Sequence, residues 1–445
     1  MRKYISVTLL LALTLSFNAC NSGGNNSSPD STNVGSTGTN VTALDGYIKN
    51  ATLKDASGQT ATYSGAGGKY TFTSSVAYPL TLTGGAYEDT NTSFDINMSC
   101  SSGSVISPIT TFIDGNSTVL GKLANLALSD NPATLSDFSV DYIAANNTDL
   151  AKLAQLLYVV EKDGNLTHKL RADMNATSLN ALYTQIQSDI NATVTDTTLQ
   201  NNMRVFVQKV KEINTTVAVS SYESMLKTYK STFATITWRG KTYGQVASPY
   251  TGKIWLDRNL GASRVATAVD DNQSYGDYYQ WGRAADGHQK SNSTTTATLA
   301  TDINATNENG KFITNSNSPC DCAESGVDDN GSLRSTAWSK TDGNSVCPAG
   351  FRVPTLDELA AETVNNSGGD SFENNTDVFN NFLKLPSAGD RGRGDGTLNY
   401  QGSGGIIWSS SPAGSGSYDL YFVSDDAGTG NGCRAFGFSV RCLKD

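Results

Sequence analysis

Histidine is almost missing from this chain: 445 residues contain only His168 and His288. They fall in different segments, so a metal centre built from several imidazoles lacks its ligands. Charged residues are scarce too, at 17%, and their balance is negative, with a net charge of −10. Phosphate backbones are gripped by Lys and Arg, so nucleic acid is excluded as a partner, as is direct adhesion to anionic lipid. Past residue 15 no hydrophobic run approaches the roughly 20 residues needed to cross a hydrocarbon core. No Gly-x-Ser-x-Gly sits at a strand-to-helix junction, which removes the serine-hydrolase reading. Gly414-Ser415-Gly416-Ser417 reads as a polar loop instead. Acidic pairs do occur, at Asp328-Asp329 and Asp425-Asp426. Nothing in the sequence marks either as a buried pair with separated pKa values, and both are expected to be solvated. What the chain has in plenty is Asn, Ser, Thr and Gly, a mix that suits exported, β-rich proteins with long polar loops.

The N-terminus carries an address. Arg2 and Lys3 precede about a dozen apolar residues, including Leu9, Leu10, Leu11, Leu13 and Leu15, the size of a signal-peptide core. The segment closes on Phe17-Asn18-Ala19-Cys20, which resembles the lipobox of bacterial lipoproteins. That resemblance implies a signal peptide over residues 1–19, diacylglycerol on Cys20, cleavage before it and acylation of the new amino group. The bilayer is then a partner through Cys20, because two or more acyl chains hold a protein far better than one. Asn21 is not the Asp that retains such lipoproteins at an inner membrane, so the outer membrane is expected. Residues 20–41 form a polar tether, whose r.m.s. reach is roughly 25 Å.

Beyond the tether, the expected architecture is multidomain: a β-sandwich-like module, a helical middle region and a C-terminal α+β domain. Residues 42–116 show short alternating runs with Tyr47, Leu53, Tyr70, Phe72, Leu80 and Leu82, separated by turns such as Gly84-Gly85. Asp45-Gly46-Tyr47-Ile48 and Gly68-Lys69-Tyr70-Thr71-Phe72 resemble exported carboxypeptidase-regulatory-like modules, which act as spacers. Ser107-Pro108-Ile109-Thr110-Thr111 is similar to a segment that follows such modules. Residues 117–232 read as helical. Leu150, Leu153, Leu157 and Val160 form one stripe, with Asp149 as its cap. Leu179, Leu182, Tyr183, Ile186 and Ile190 form a second. Leu199, Met203, Phe206, Val210 and Ile213 form a third. All three are expected to be core seams.

Six cysteines remain after Cys20, an even number that suggests disulfides in an oxidising compartment and allows 15 connectivities. Residues 235–445 carry ordered blocks. These include Trp255-Leu256-Asp257-Arg258-Asn259-Leu260-Gly261, Tyr278-Tyr279-Gln280-Trp281-Gly282-Arg283 and Cys347-Pro348-Ala349-Gly350-Phe351-Arg352-Val353-Pro354-Thr355. Leu385-Pro386-Ser387-Ala388-Gly389-Asp390-Arg391, Trp408-Ser409-Ser410-Ser411 and Phe438-Ser439-Val440-Arg441-Cys442 follow. In this order they resemble the Fibrobacter succinogenes major paralogous domain, and through it the C-type-lectin-like and formylglycine-generating-enzyme superfold. The resemblance implies a Cys347–Cys442 disulfide joining a first helix to the last strand, and a bond from Cys433 to Cys320 or Cys322. Cys100 is left free or paired with the remaining one. The residues themselves give Thr355 and Glu358 as a capping box. Phe436, Phe438 and Val440 alternate with Gly437, Ser439 and Arg441 as a strand with one apolar face.

The enzymes of that superfold need a reactive cysteine pair or a His cluster, and residues 348–432 contain no cysteine. No catalytic residue, cofactor or metal site is therefore expected. Cys320-Asp321-Cys322 with His288 reads as disulfide chemistry. The calcium triplets of lectins are missing, although Asp328, Asp329, Asn330, Asp425, Asp426 and Asn431 could supply oxygens. The tryptophans are expected in the core. A glycan site would use Tyr418, Asp419, Tyr421, Asp425 and Asn431, where lectin-like folds place binding groups. The expected function is a non-catalytic binding lipoprotein facing polysaccharide or a surface protein. The alternatives are a purely structural envelope protein and, last, a sulfatase-modifying-type enzyme.

Overall fold

The computed structural model describes residues 38–129, 132–366, 368 and 372–445, so the expected signal peptide, residues 1–19, and Cys20 lie outside the described residues. The chain is mixed α+β, with helices and many small sheets. Among the described residues no helix is long and apolar enough to cross a membrane. The first strand, Asn40–Ala43, starts inside the segment read as tether, because Val41 is an apolar residue only 1% exposed. It lies between Lys69–Thr71, antiparallel, and Val105–Ile106, parallel. Leu80–Thr83 shows why these runs are strands: Leu80 and Leu82 are buried while Thr81 and Thr83 face water. The β-rich stretch ends at Ile106, earlier than expected. Ser107 caps the helix Pro108–Ile113 by accepting from the Thr110 N–H, while the Thr110 side chain returns to the Ser107 N–H.

The three apolar stripes lie on the helices Thr148–Val160, Leu179–Thr193 and Thr197–Glu212. Leu153, Leu157, Leu182, Ile186, Met203, Phe206 and Val210 are fully buried. Asp149 is not the cap of the first helix. Asn147, two residues earlier, accepts from the Leu150 N–H, and Asp149 accepts from the Ser129 N–H instead. One apolar cluster runs from Val41 of the β-rich segment to Leu226 of the helix Tyr222–Lys230.

The helix Thr197–Glu212 also meets the C-terminal part. There the strands pair in the order Gln245–Ala247, Ile254–Leu256, Leu443–Lys444, Phe351–Arg352, which leaves Gln245–Ala247 at an edge. An open edge invites foreign strands. Here Asn202 closes it: Nδ2 donates to the carbonyls of Gln245 and Thr232, and Oδ1 accepts from the Ala247 N–H. Asn201 Nδ2 donates to the Ala247 carbonyl. Asn202 is buried, so Asn202→Leu strands three backbone groups and is expected to cost about 2–4 kcal/mol. Urea unfolding reads this. A midpoint equal to wild type would contradict the closure.

The last strand pairs on both sides, with Ile254–Leu256 and Phe351–Arg352. Cys347–Cys442 ties the ends of these neighbouring strands, with Cα atoms 5.9 Å apart. Cys347 precedes the strand Phe351–Arg352 rather than lying on a helix, which differs from the expected helix-to-strand staple. The capping box forms at Leu356–Glu362 as read from sequence. The terminal run does not have one apolar face. Ser439 and Arg441 are as buried as Val440, because Arg441 fills its side with bonds to the Leu383 and Leu256 carbonyls and to Asn259.

Candidate functional site

Three long strands, Gly405–Ala413, Gly416–Phe422 and Ala427–Gly432, form an antiparallel sheet. Opposed residues of such a sheet share a face. Ile407, Leu420 and Phe422 face the core. Ile406, Asp419 and Tyr421 share the other face with Gly428 and Gly430, their register neighbours. The run Ala427-Gly428-Thr429-Gly430-Asn431-Gly432 thus places a glycine at every position on that face, leaving it without side chains. A Cβ at Gly430 would sit 3.0 Å from Asp419 Oδ1, and one at Gly432 would sit 3.0 Å from Phe438.

Beside this bare floor stand Asp390–Arg391, Leu398–Asn399 and Gly437–Phe438, strands of a second sheet. Gly389 allows the close approach: its φ is +70°, and a Cβ there would strike the Asn399 carbonyl. Between the sheets lies a groove of about 650 Å³. This is within the range of roughly 300–1,000 Å³ for small-ligand sites. Phe436 and Phe438 stack at its wall with centroids 5.3 Å apart. Tyr400, 71% exposed, stands at its rim.

Two carboxyls face the groove. Asp419 is only 5% exposed and accepts no hydrogen bond from the described residues. Burial alone pushes its carboxyl up to about 7. Asp390 is also raised, again chiefly by burial and further by the nearby Asp395 charge, and Asn399 Nδ2 donates to it at 3.4 Å. The Tyr421 hydroxyl donates to Asp426 at 2.9 Å, which fixes its ring over the sheet.

Of the five residues singled out in the sequence, Asp419 and Tyr421 face the groove and Asn431 borders it. Tyr418 does not, because strand alternation turns it to the opposite face with its partner Asn431. Asp425 is exposed on the turn beyond the strand. Asp390, Tyr400, Phe436 and Phe438 also line the groove, and no local pattern in the sequence marks them as a group. The alternating glycines were a signal that a strand face was being kept clear.

The other candidates have structural duties. Cys320 pairs with Cys433, while Cys100 and Cys322 are free and buried. Asp328 is not solvated, contrary to expectation: it accepts from Arg334 Nε at 3.1 Å and from two backbone N–H groups. Asp321 holds both Arg334 and Arg434. His288 is fully buried, with Nε2 accepting from the Gln280 N–H and Nδ1 paired with Asp286. Burial holds it down to about 4, so it stays neutral. Trp255, Trp281, Trp338 and Trp408 are all core residues, which leaves the tyrosines and phenylalanines of the groove as its aromatic surface. Among the described residues no group of three or more His, Cys, Asp or Glu is placed to hold a metal ion. No family model, curated protein or solved structure matches the chain.

Proposed function

We propose that this chain is a lipid-anchored binding protein of a bacterial envelope whose groove takes polysaccharide. The supporting observation is the unpartnered Asp419 carboxyl on a floor of glycines, flanked by Tyr421, Phe436 and Phe438. Sugars offer hydroxyl donors on their edges and C–H groups on their faces. Carboxylates accept from the first, and aromatic rings pack against the second. A floor without side chains admits a flat ring. The Cys20 anchor and polar tether support presentation at a membrane, with the outer membrane preferred, and the motif order supports a lectin-like C-terminal domain. Surface protein remains the alternative ligand, and a purely structural role the alternative function.

A glycan array separates these readings. The wild-type chain is expected to retain a restricted set of glycans. Gly430→Val, which places methyl groups against Asp419 and Tyr421, is expected to lose them by about tenfold or more in affinity. Failure to retain any glycan, or equal retention by the variant, would sink the proposal. One observation favours a second reading, glycoside hydrolysis: Asp390 and Asp419 share the groove and both carboxyls are raised. Release of reducing sugar by the wild type and not by Asp419→Asn would select it.

A further inference from the structure

The groove between the two C-terminal sheets carries charge of one sign. Among the described residues Asp390 and Asp419 line it, and no Lys, Arg or His does. Arg391, beside Asp390 in the chain, turns away and donates to the Lys290 and Ser293 carbonyls. Arg393 lies against Phe436, its guanidinium 5.3 Å from the ring centroid, and is not part of the lining. Asp426 adds a further carboxyl through its bond with the Tyr421 hydroxyl, and the Asp395 charge acts on Asp390. No cation offsets either groove carboxyl.

Asp419 is the group that opens on this space. It is 5% exposed and accepts no hydrogen bond from the described residues, yet its oxygens are not among the unpartnered atoms sealed inside the fold. Both oxygens overhang the glycine floor: an added Cβ would lie 3.0 Å from Oδ1 at Gly430 and 3.3 Å from Oδ2 at Gly432. An unpaired carboxylate in such a place is costly, and a counter-charge relieves the cost. A sugar hydroxyl donates one hydrogen bond and brings no charge, whereas an ammonium brings several N–H donors and the charge together. A sugar acid would set like charge against Asp419 and Asp390. A bare calcium ion takes about six to eight oxygens, and among the described residues no group of three or more His, Cys, Asp or Glu is assembled to supply them. An ammonium carried on a sugar ring meets Asp419 with its charge and leaves the C–H face of the ring for the Phe436–Phe438 stack.

We infer that the groove selects a sugar bearing a free amine, whose ammonium donates to Asp419, over neutral and acidic sugars. This rests on the glycan reading of the groove and names the class of glycan it takes. A neutral sugar offers the same carboxyl a hydroxyl and is held more weakly. Burial leaves the unpaired carboxyl partly protonated near neutrality, and an arriving ammonium, as an opposite charge, returns it to the ionised form with its proton passing to solvent.

Calorimetric titration of the full chain tests this at about pH 6.5, where an amine beside electron-withdrawing oxygens is mostly protonated. The probes are the glucosamine trimer, cellotriose and the N-acetylglucosamine trimer, which share one backbone and differ only in the group on the second ring carbon, with trigalacturonate as the acidic sugar. The glucosamine trimer is expected to bind about tenfold or more tighter than cellotriose and the acetylated trimer, and trigalacturonate weakest of all. Asp419→Asn keeps the shape of the side chain and removes a single charge from a chain of net charge −10. It is expected to shrink the amine preference to about twofold or less. A general attraction of the acidic surface for a polycation would persist in that variant, so an intact preference there would overturn the inference. Gly430→Val covers the same carboxyl, is expected to remove the preference as well, and decides the matter should Asp419→Asn fail to fold. Cellotriose bound as tightly as the glucosamine trimer by the wild type would overturn the inference and leave the glycan reading standing. Binding of none of the four sugars would overturn both.

Discussion

Asp419→Asn is expected to make the protein more stable at pH 8 while weakening its hold on glycan. The Asp419 carboxyl is raised by burial from 3.8 to about 7 in the folded chain. Between these values the native state keeps a proton that the unfolded chain has released, so stability falls as pH rises through that window. Above pH 7 the native chain carries a buried charge that no partner offsets. Asparagine removes that charge. The gain at pH 8 is expected to be about 2–4 kcal/mol, and it should vanish near pH 3.5, below both values. Urea unfolding at the two pH values measures it. In the same variant, glycan affinity at pH 8 is expected to drop by about tenfold, because hydrogen bonds to a carboxylate are stronger than those to an amide. A residue that costs stability and confers binding is the signature of a site kept for function. If Asp419→Asn is destabilising at pH 8, the carboxyl has a partner in the fold and the groove argument loses its anchor.

The largest loss of stability is expected from Lys230→Met. Lys230 is 3% exposed, and its ammonium donates to Asp45 Oδ2 at 2.8 Å, Glu223 Oε2 at 2.6 Å and the Tyr87 hydroxyl at 2.9 Å. Burial pulls it down, but Asp45 and Glu223 together outweigh that and hold it above the ordinary lysine value. Glu223 is raised to about 8, mainly by burial. Removing this ammonium leaves Asp45, wholly buried, without the cation it bonds, and only the more distant Lys162 to offset its charge. Breaking such a pair from one side costs about 3–5 kcal/mol. Asp45→Asn added to Lys230→Met is expected to recover a good part of the loss, since the stranded charge goes with it. Urea unfolding of the single and double variants reads both effects. A single variant within experimental error of wild type would mean that the cluster is not ionised in the native state.

Local signals were legible in the sequence, and signals that depend on distant partners were not. Thr355 and Glu358 lie three residues apart, and their capping box needed no tertiary knowledge. The apolar stripes of the helices are likewise local. Asp45 and Lys230 are far apart in sequence, and no periodicity announces that one buries the other. The burial of Asp328 and Arg441 is illegible in the sequence for the same reason: a charge looks solvated until its partners arrive. Tyr418 and Tyr421 were grouped by position, but only the pairing register tells which of them faces the groove. The alternating glycines from Gly428 to Gly432 were the overlooked clue, since a strand spends conformational entropy on each glycine and needs a reason to do so.

The most direct test of the groove assignment is a crystal structure of the protein with a glycan retained on the array. The glycan is expected between the two C-terminal sheets, with a hydroxyl donating to Asp419 and a sugar face against Tyr421 or the Phe436–Phe438 stack. A glycan seated on the opposite face of the sheet, against Tyr418, or bound away from Asp419 altogether, would contradict it.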